Sequence, residues 1–175
     1  MTVGDGARAL AVVFVAAMLQ IVIVSTLVVG GGSPDLLLVA VVALGLLRGS
    51  SAGAVLGFLG GLVVDVVTLG TLGVTSLVLT LAGFWAGRYG ETTGRDRRFA
   101  PVIAVAVITI AAAAFGYVLH YLLGEEVVAR TVLLTTLVPA LVANVLLALP
   151  VHRLIRLVVG EEIRSEPARE VEVVV

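Results

Sequence analysis

The chain contains no cysteine, and all eleven of its basic residues are arginine, so lysine is absent as well. Without cysteine there can be no disulfide, thiol nucleophile or thiolate metal ligand. Without lysine, Schiff-base catalysis and the lysine of a phosphate-binding loop are excluded. Charge is scarce: 13% of 175 residues, with a formal net of −1. That is too little to clothe a water-soluble domain of this size, and it offers no basic excess to hold nucleic acid. Aromatic residues make up only 5%. What fills the chain instead is apolar sequence, 60% of all residues, with a mean hydropathy of +1.19. This composition describes an all-α integral membrane protein.

Six apolar stretches follow one another. Residues 9–29 are uncharged and match the roughly 20 residues that cross a hydrocarbon core. No A-x-A-like site closes them, so they read as an uncleaved span rather than a leader. Gln20, its one polar exception, is expected to bond to a neighbouring helix. After Gly30-Gly31-Gly32, the residues Ser33, Pro34 and Asp35 look like a helix start: a capping hydroxyl, a proline at the first position and an acid in the first turn. The second span, 36–47, is short and stops at Arg48. The third runs over 51–69 and the fourth over 74–86, with Trp85 and Tyr89 as interfacial anchors ahead of a charged loop at 88–98. The fifth covers 101–123 and ends near Tyr117, His120 and Tyr121. An acidic loop, Gly124-Glu125-Glu126, leads to the sixth over 131–149, kinked by Pro139 and closed by Pro150, Arg153 and Arg156. Residues 1–159 thus form a single six-helix transmembrane domain, and 160–175 a polar cytoplasmic tail whose EVEVVV ending alternates like a strand.

The third span carries the strongest internal pattern. Gly49, Gly53, Gly57 and Gly61 recur every fourth residue, and the next step is Asp65. On a helix such a row forms a notch that drifts by about 40° per step, open to close approach by another helix. Asp65, about 25 Å beyond Arg48 at 1.5 Å per residue, falls near the opposite interface. It would either line an outer pocket with Asp35 or cap the turn at 68–71; the residues alone favour neither. Asp35 reads first as a capping acid. Asn144 reads as interhelical glue, and Arg95, Arg97 and Arg98 as an anchor on anionic lipid. His120 has no second histidine on its side, so no metal site is expected. Neither a G-x-S-x-G serine, a phosphate loop nor a pair of catalytic acids occurs within a span, so no enzyme and no cofactor are expected.

Arginine positions set the orientation. With the N-terminus inside and six spans, ten of the eleven arginines fall on the cytoplasmic side, Arg130 being the exception. Both termini are then cytoplasmic, and Asp35, Asp65, His120, Glu125 and Glu126 lie at the outer face.

Leu19-Gln20 late in the first span, Pro34-Asp35-Leu36-Leu37-Leu38 opening the second, and Gly57-Phe58-Leu59-Gly60-Gly61-Leu62-Val63-Val64-Asp65 followed by Leu69-Gly70-Thr71-Leu72-Gly73 resemble the rod shape-determining protein MreD family. The likeness implies a multi-pass protein of the bacterial cytoplasmic (inner) membrane, a non-catalytic scaffold of the cell-elongation complex that supports peptidoglycan synthesis. It implies an MreC-like single-span partner, with MreB, a RodA-type glycosyltransferase and a class B penicillin-binding protein nearby, and a fold similar to the substrate-binding subunits of energy-coupling-factor transporters. In that light Gly49, Gly53, Gly57 and Gly61 would receive the partner's transmembrane helix, and Pro34, Asp35, Asp65, Gly70 and Gly73 would shape the outer rim. The competing expectation is a vitamin-type substrate-binding subunit of a transporter, using the outer face near Asp35, Asp65 and His120. Few polar or aromatic residues on the spans favour the scaffold.

Overall fold

A computed structural model describes residues 3–26, 33–93, 99–124 and 136–160. Six helices account for almost all of them: α1 (Val3–Thr26), α2 (Leu36–Arg48), α3 (Ser50–Thr68), α4 (Val74–Thr93), α5 (Ala100–Leu122) and α6 (Leu137–Val159), with no strand among the described residues. Four of these, α1, α3, α5 and α6, are long and apolar enough to cross a membrane. The expectations for Arg95, Arg97, Arg98, Glu125, Glu126, Arg130 and the tail from residue 161 fall outside the described residues.

The centre of the molecule is α2. Every residue from Leu37 to Arg48 is buried, and all five other helices pack against it. Leucine, valine and alanine on every face leave such a helix no polar stripe to turn toward water. Its thirteen residues give a length of about 20 Å, well short of a hydrocarbon core of about 30 Å. Both of its ends therefore cannot reach the two membrane surfaces, and at least one must find its hydrogen bonds inside the bundle.

From α2 the chain reverses into α3 through a single residue. Gly49 sits at φ 91° and ψ 176°, backbone space open only to glycine. Its N–H bonds to the Gly45 carbonyl at 2.8 Å, and its own carbonyl accepts from the Gly53 N–H at 3.0 Å. Next, α3 and α4 form an antiparallel hairpin closed by Leu69-Gly70-Thr71-Leu72-Gly73. Helices α5 and α6 pair with each other against the far side of α2.

Three boundaries differ from expectation. Helix α4 continues to Thr93, so residues 88–93 are helix rather than loop, the extra turn being held by contacts described below. Pro139 stands in the first turn of α6, where a missing N–H costs nothing. The interior proline is Pro150, and α6 runs through it to Val159; the Leu146 carbonyl four residues back loses its donor, and packing against α2 and α5 holds the helix across the break.

Candidate functional site: helix starts and the glycine stripe

The residues singled out in the sequence gather at two kinds of place: the starts of helices and the seam between α3 and α4.

Along the seam, the stripe is filled from within the chain. A methyl group placed on Gly53 would run into the backbone of Gly83, one on Gly57 into Leu79, and one on Gly61 into Ser76. Reciprocally, Gly83 faces the Gly53 carbonyl, and Gly87 faces Gly49 and Ser50. Gly45 of α2 joins the same crossing, its ideal Cβ position 2.7 Å from the Gly83 oxygen and 2.9 Å separating the Gly53 position from Gly45 Cα. Three backbones thus meet at Gly45, Gly53 and Gly83. This corrects the expectation that Gly49, Gly53, Gly57 and Gly61 receive a partner's helix. The small residues of α4, spaced as Ser76, Thr80, Gly83 and Gly87, present a matching row in antiparallel register, so α4 occupies the notch and Gly49 serves as the α2–α3 corner. Gly60, off the stripe, faces α1 and α2, its Cβ position 2.7 Å from Val13 Cγ1.

Asp65 closes the far end of this seam. It is 3% exposed and accepts four hydrogen bonds: from Gly73 N at 2.9 Å, Thr75 N at 3.2 Å, Ser76 N at 3.2 Å and Ser76 Oγ at 3.2 Å. It therefore caps the start of α4, and an anion there complements that helix's dipole. The expected turn at 68–71 is not its target; Thr68 instead bonds back to the Val64 carbonyl.

Glu91 performs the mirror-image task. From the last turn of α4 it accepts Ser50 N at 2.9 Å and Ser50 Oγ at 3.1 Å, capping the start of α3. Its carboxyl lies below the usual range, chiefly because of the Ser50 N–H, with burial opposing and the Ser50 hydroxyl and Arg88 assisting. Each helix of the hairpin thus supplies the acid that satisfies the other's first turn. Sequence reading missed Glu91, which stood inside the presumed loop. The visible signal was Gly49-Ser50 starting a helix with no acid of its own.

A third polar group holds the start of α2. Asp35 is its N-cap, Oδ1 accepting Leu38 N at 2.9 Å, so the capping residue is the acid rather than Ser33. Gln20 of α1 accepts Leu36 N at 2.6 Å and donates to the Pro34 carbonyl at 3.1 Å. Asn144 of α6 accepts Asp35 N at 2.7 Å and donates to Thr109 Oγ1 of α5 at 3.3 Å. Side chains of α1 and α6, with Asp35 itself, thus supply what water would supply at a surface, as the shortness of α2 demands. The expected roles of Gln20 and Asn144 as interhelical bonds hold, and Thr109 is an addition. Gly70 lies in the turn between α3 and α4, where an added Cβ would meet only Thr68 Oγ1 at 3.5 Å, and Gly73 joins it at φ 96°. Tyr117, His120 and Tyr121 occupy the last two turns of α5.

The opposite end of α2 carries Arg48, whose side chain is 2% exposed. Nη2 donates to the Val159 carbonyl at 2.6 Å, and Nη1 lies 3.9 Å from Asp5. The guanidinium thus ties the ends of α2 and α6 to the start of α1, a cation at two helix C-termini. Arg8, Arg88, Arg153 and Arg156 stand at this same end of their helices. On the bundle's flank, α4 and α5 splay around an apolar groove of about 520 Å³ lined by Val78, Ala82, Trp85, Ala104 and Phe115 among others.

A profile described as rod shape-determining protein MreD matches residues 6–158, from the first turns of α1 to the last turn of α6. The chain belongs to the MreD family. It is accordingly a rod shape-determining membrane protein, of a family whose role is structural. No curated protein and no solved structure matches the chain. Within this MreD-family chain, Pro34-Asp35 and the glycine-aspartate-glycine block turn out to be the residues that start α2 and build the α3–α4 hairpin.

Proposed function

We propose that the protein is a non-catalytic scaffold of the bacterial cell-elongation complex in the cytoplasmic membrane. It holds an MreC-like partner through that partner's single transmembrane helix. In doing so it supports peptidoglycan synthesis by a RodA-type glycosyltransferase and a class B penicillin-binding protein, in register with MreB. The observation that carries this reading is the family match across all six helices. A second supports it: Asp35, Asp65, Gln20 and Asn144 each spend their hydrogen bonds on a helix start, which leaves them poor candidates to converge on a small polar ligand. With the stripe filled by α4, the partner's helix is left the outward faces of the bundle. We place both termini in the cytoplasm, because the arginines of the described helices collect at one end, and retain the energy-coupling-factor subunits as the expected structural relatives. The test is purification of the tagged chain from its own host, with mass spectrometry of what accompanies it. MreC and cell-wall synthases are expected; an ATPase pair with a second membrane subunit would instead make this a transporter component.

A further inference from the structure

The groove on the flank of the bundle has a defined depth and two unlike ends. Val78, Trp85 and Tyr89 of α4 face Ile103, Val107 and Phe115 of α5 across it. It runs over residues 78–89 of α4 and 103–115 of α5, about 16–18 Å at 1.5 Å per residue. That is close to half of a hydrocarbon core about 30 Å thick, the depth of one lipid leaflet. At the end away from the arginines, a Cβ built on Gly116 would lie 4.0 Å from Val78 Cγ2, so α4 and α5 meet there and close the groove. The other end is positive. Arg88, next to the lining Tyr89, has a side chain 55% exposed, 3.4 Å from Glu91. Helix α5 begins one turn before the lining Ile103, with Phe99 as its N-cap and no side-chain acceptor on its first turn; the positive end of its dipole points to the same side. In sequence, the connection between the two helices adds Arg95, Arg97 and Arg98 against Asp96.

We propose that this groove binds an anionic phospholipid from the leaflet at the arginine end. Its acyl chain lies between α4 and α5, and its phosphate stands beside Arg88 and the start of α5. Depth and charge together choose this occupant. A partner's transmembrane helix crosses both leaflets, and a groove that closes after about 16–18 Å cannot follow it; a chain that ends at mid-membrane fits. An apolar stem under an anionic head matches apolar walls under a positive mouth, where a guanidinium can fork onto phosphate oxygens. Trp85 and Tyr89 stand toward that mouth, where amphipathic rings meet headgroups. The site is separate from the hydrogen-bonded helix starts, and it needs none of the protein partners named above.

The test uses the full chain in detergent, mixed with equal amounts of phosphatidylglycerol and phosphatidylcholine, with the lipid retained after washing measured by mass spectrometry. Wild type is compared with Ala111→Phe and Val107→Trp, which fill the groove from exposed positions. Val142→Phe, on an exposed face of α6, is the control for lipid that merely coats the protein, and Arg88→Gln tests the headgroup. Wild type should retain phosphatidylglycerol in preference to phosphatidylcholine. Retention should fall at least fivefold in both groove variants and stay unchanged in Val142→Phe, with melting in lipid-free detergent alike in all. Arg88→Gln should keep lipid but lose at least threefold of the preference. Equal retention by wild type and the groove variants would overturn the site, as would equal retention of the two lipids by wild type. If the groove variants keep phosphatidylglycerol but lose MreC in the purification above, the groove belongs to a protein; the lipid site then fails while the scaffold reading stands. Should a groove variant melt lower without lipid, the headgroup preference of wild type against Arg88→Gln decides.

Discussion

Asp65 shows how much one carboxylate can hold when its acceptors match the donors around it. It receives three backbone N–H groups and a hydroxyl at the start of α4, a set that an amide oxygen can only partly serve. Asp65→Asn should cost about 1–2 kcal/mol and Asp65→Leu about 3 kcal/mol or more, because the apolar side chain strands buried donors. Thermal unfolding in detergent checks the order; equal loss in both variants would show that charge, and not acceptor geometry, decides. The glycines give a second residue-scale contrast. Gly53→Ala places a methyl against the Gly83 backbone, which cannot yield as a side chain would, and should destabilise by about 1–3 kcal/mol. Gly70→Ala meets only Thr68 Oγ1 at 3.5 Å and should stay within about 0.5 kcal/mol. In the sequence these residues were conspicuous but their partners were not. A glycine every fourth position announces close approach without saying by whom, and the donors of Asp65 lie eight to eleven residues further on.

Among the elements, α2 depends most on its neighbours. Its start is held by Gln20 and Asn144 from outside the helix, so Gln20→Leu or Asn144→Leu should each cost about 1–3 kcal/mol by leaving backbone donors unpaired in an apolar interior. Hydrogen exchange at Leu36 and Leu37 should accelerate in Gln20→Leu well beyond exchange in mid-helix α3; uniform acceleration would mean global rather than local loosening. The α3 cap has a pH signature. Glu91 is depressed below its ordinary value of 4.5, so its contribution is complete above that value and disappears as pH falls through the lower folded-state value. Glu91→Gln should therefore flatten the acid side of a stability profile measured from pH 6 to pH 3. The existence of each element could be read from apolar length, and the start of α2 from Pro34-Asp35. The end of α4 could not, because Arg88, Glu91 and Thr93 look like loop until Ser50 is placed beside them.

For the whole molecule, orientation is the decisive property. The absence of native cysteine makes it directly measurable: in intact cells, Leu123→Cys at the end of α5 should react with a membrane-impermeant maleimide, and Thr92→Cys at the end of α4 should react only after lysis. The reverse pattern would invert the protein in the membrane. The six-helix plan was legible because each helix needs an unbroken apolar run to enter lipid. The centrality of α2 was not, since its apolar sequence does not distinguish burial in protein from exposure to lipid.

The exchange of acids between α3 and α4 also bears on biogenesis. Ser50 leaves the ribosome 41 residues before the glutamate that caps it, and Asp65 leaves before the helix start that it caps. During synthesis each half of the hairpin is therefore chemically incomplete, and the membrane receives a finished unit only when Glu91 has emerged. A nascent chain stopped short of Glu91 would present the translocon with a helix whose first turn still lacks its acceptor.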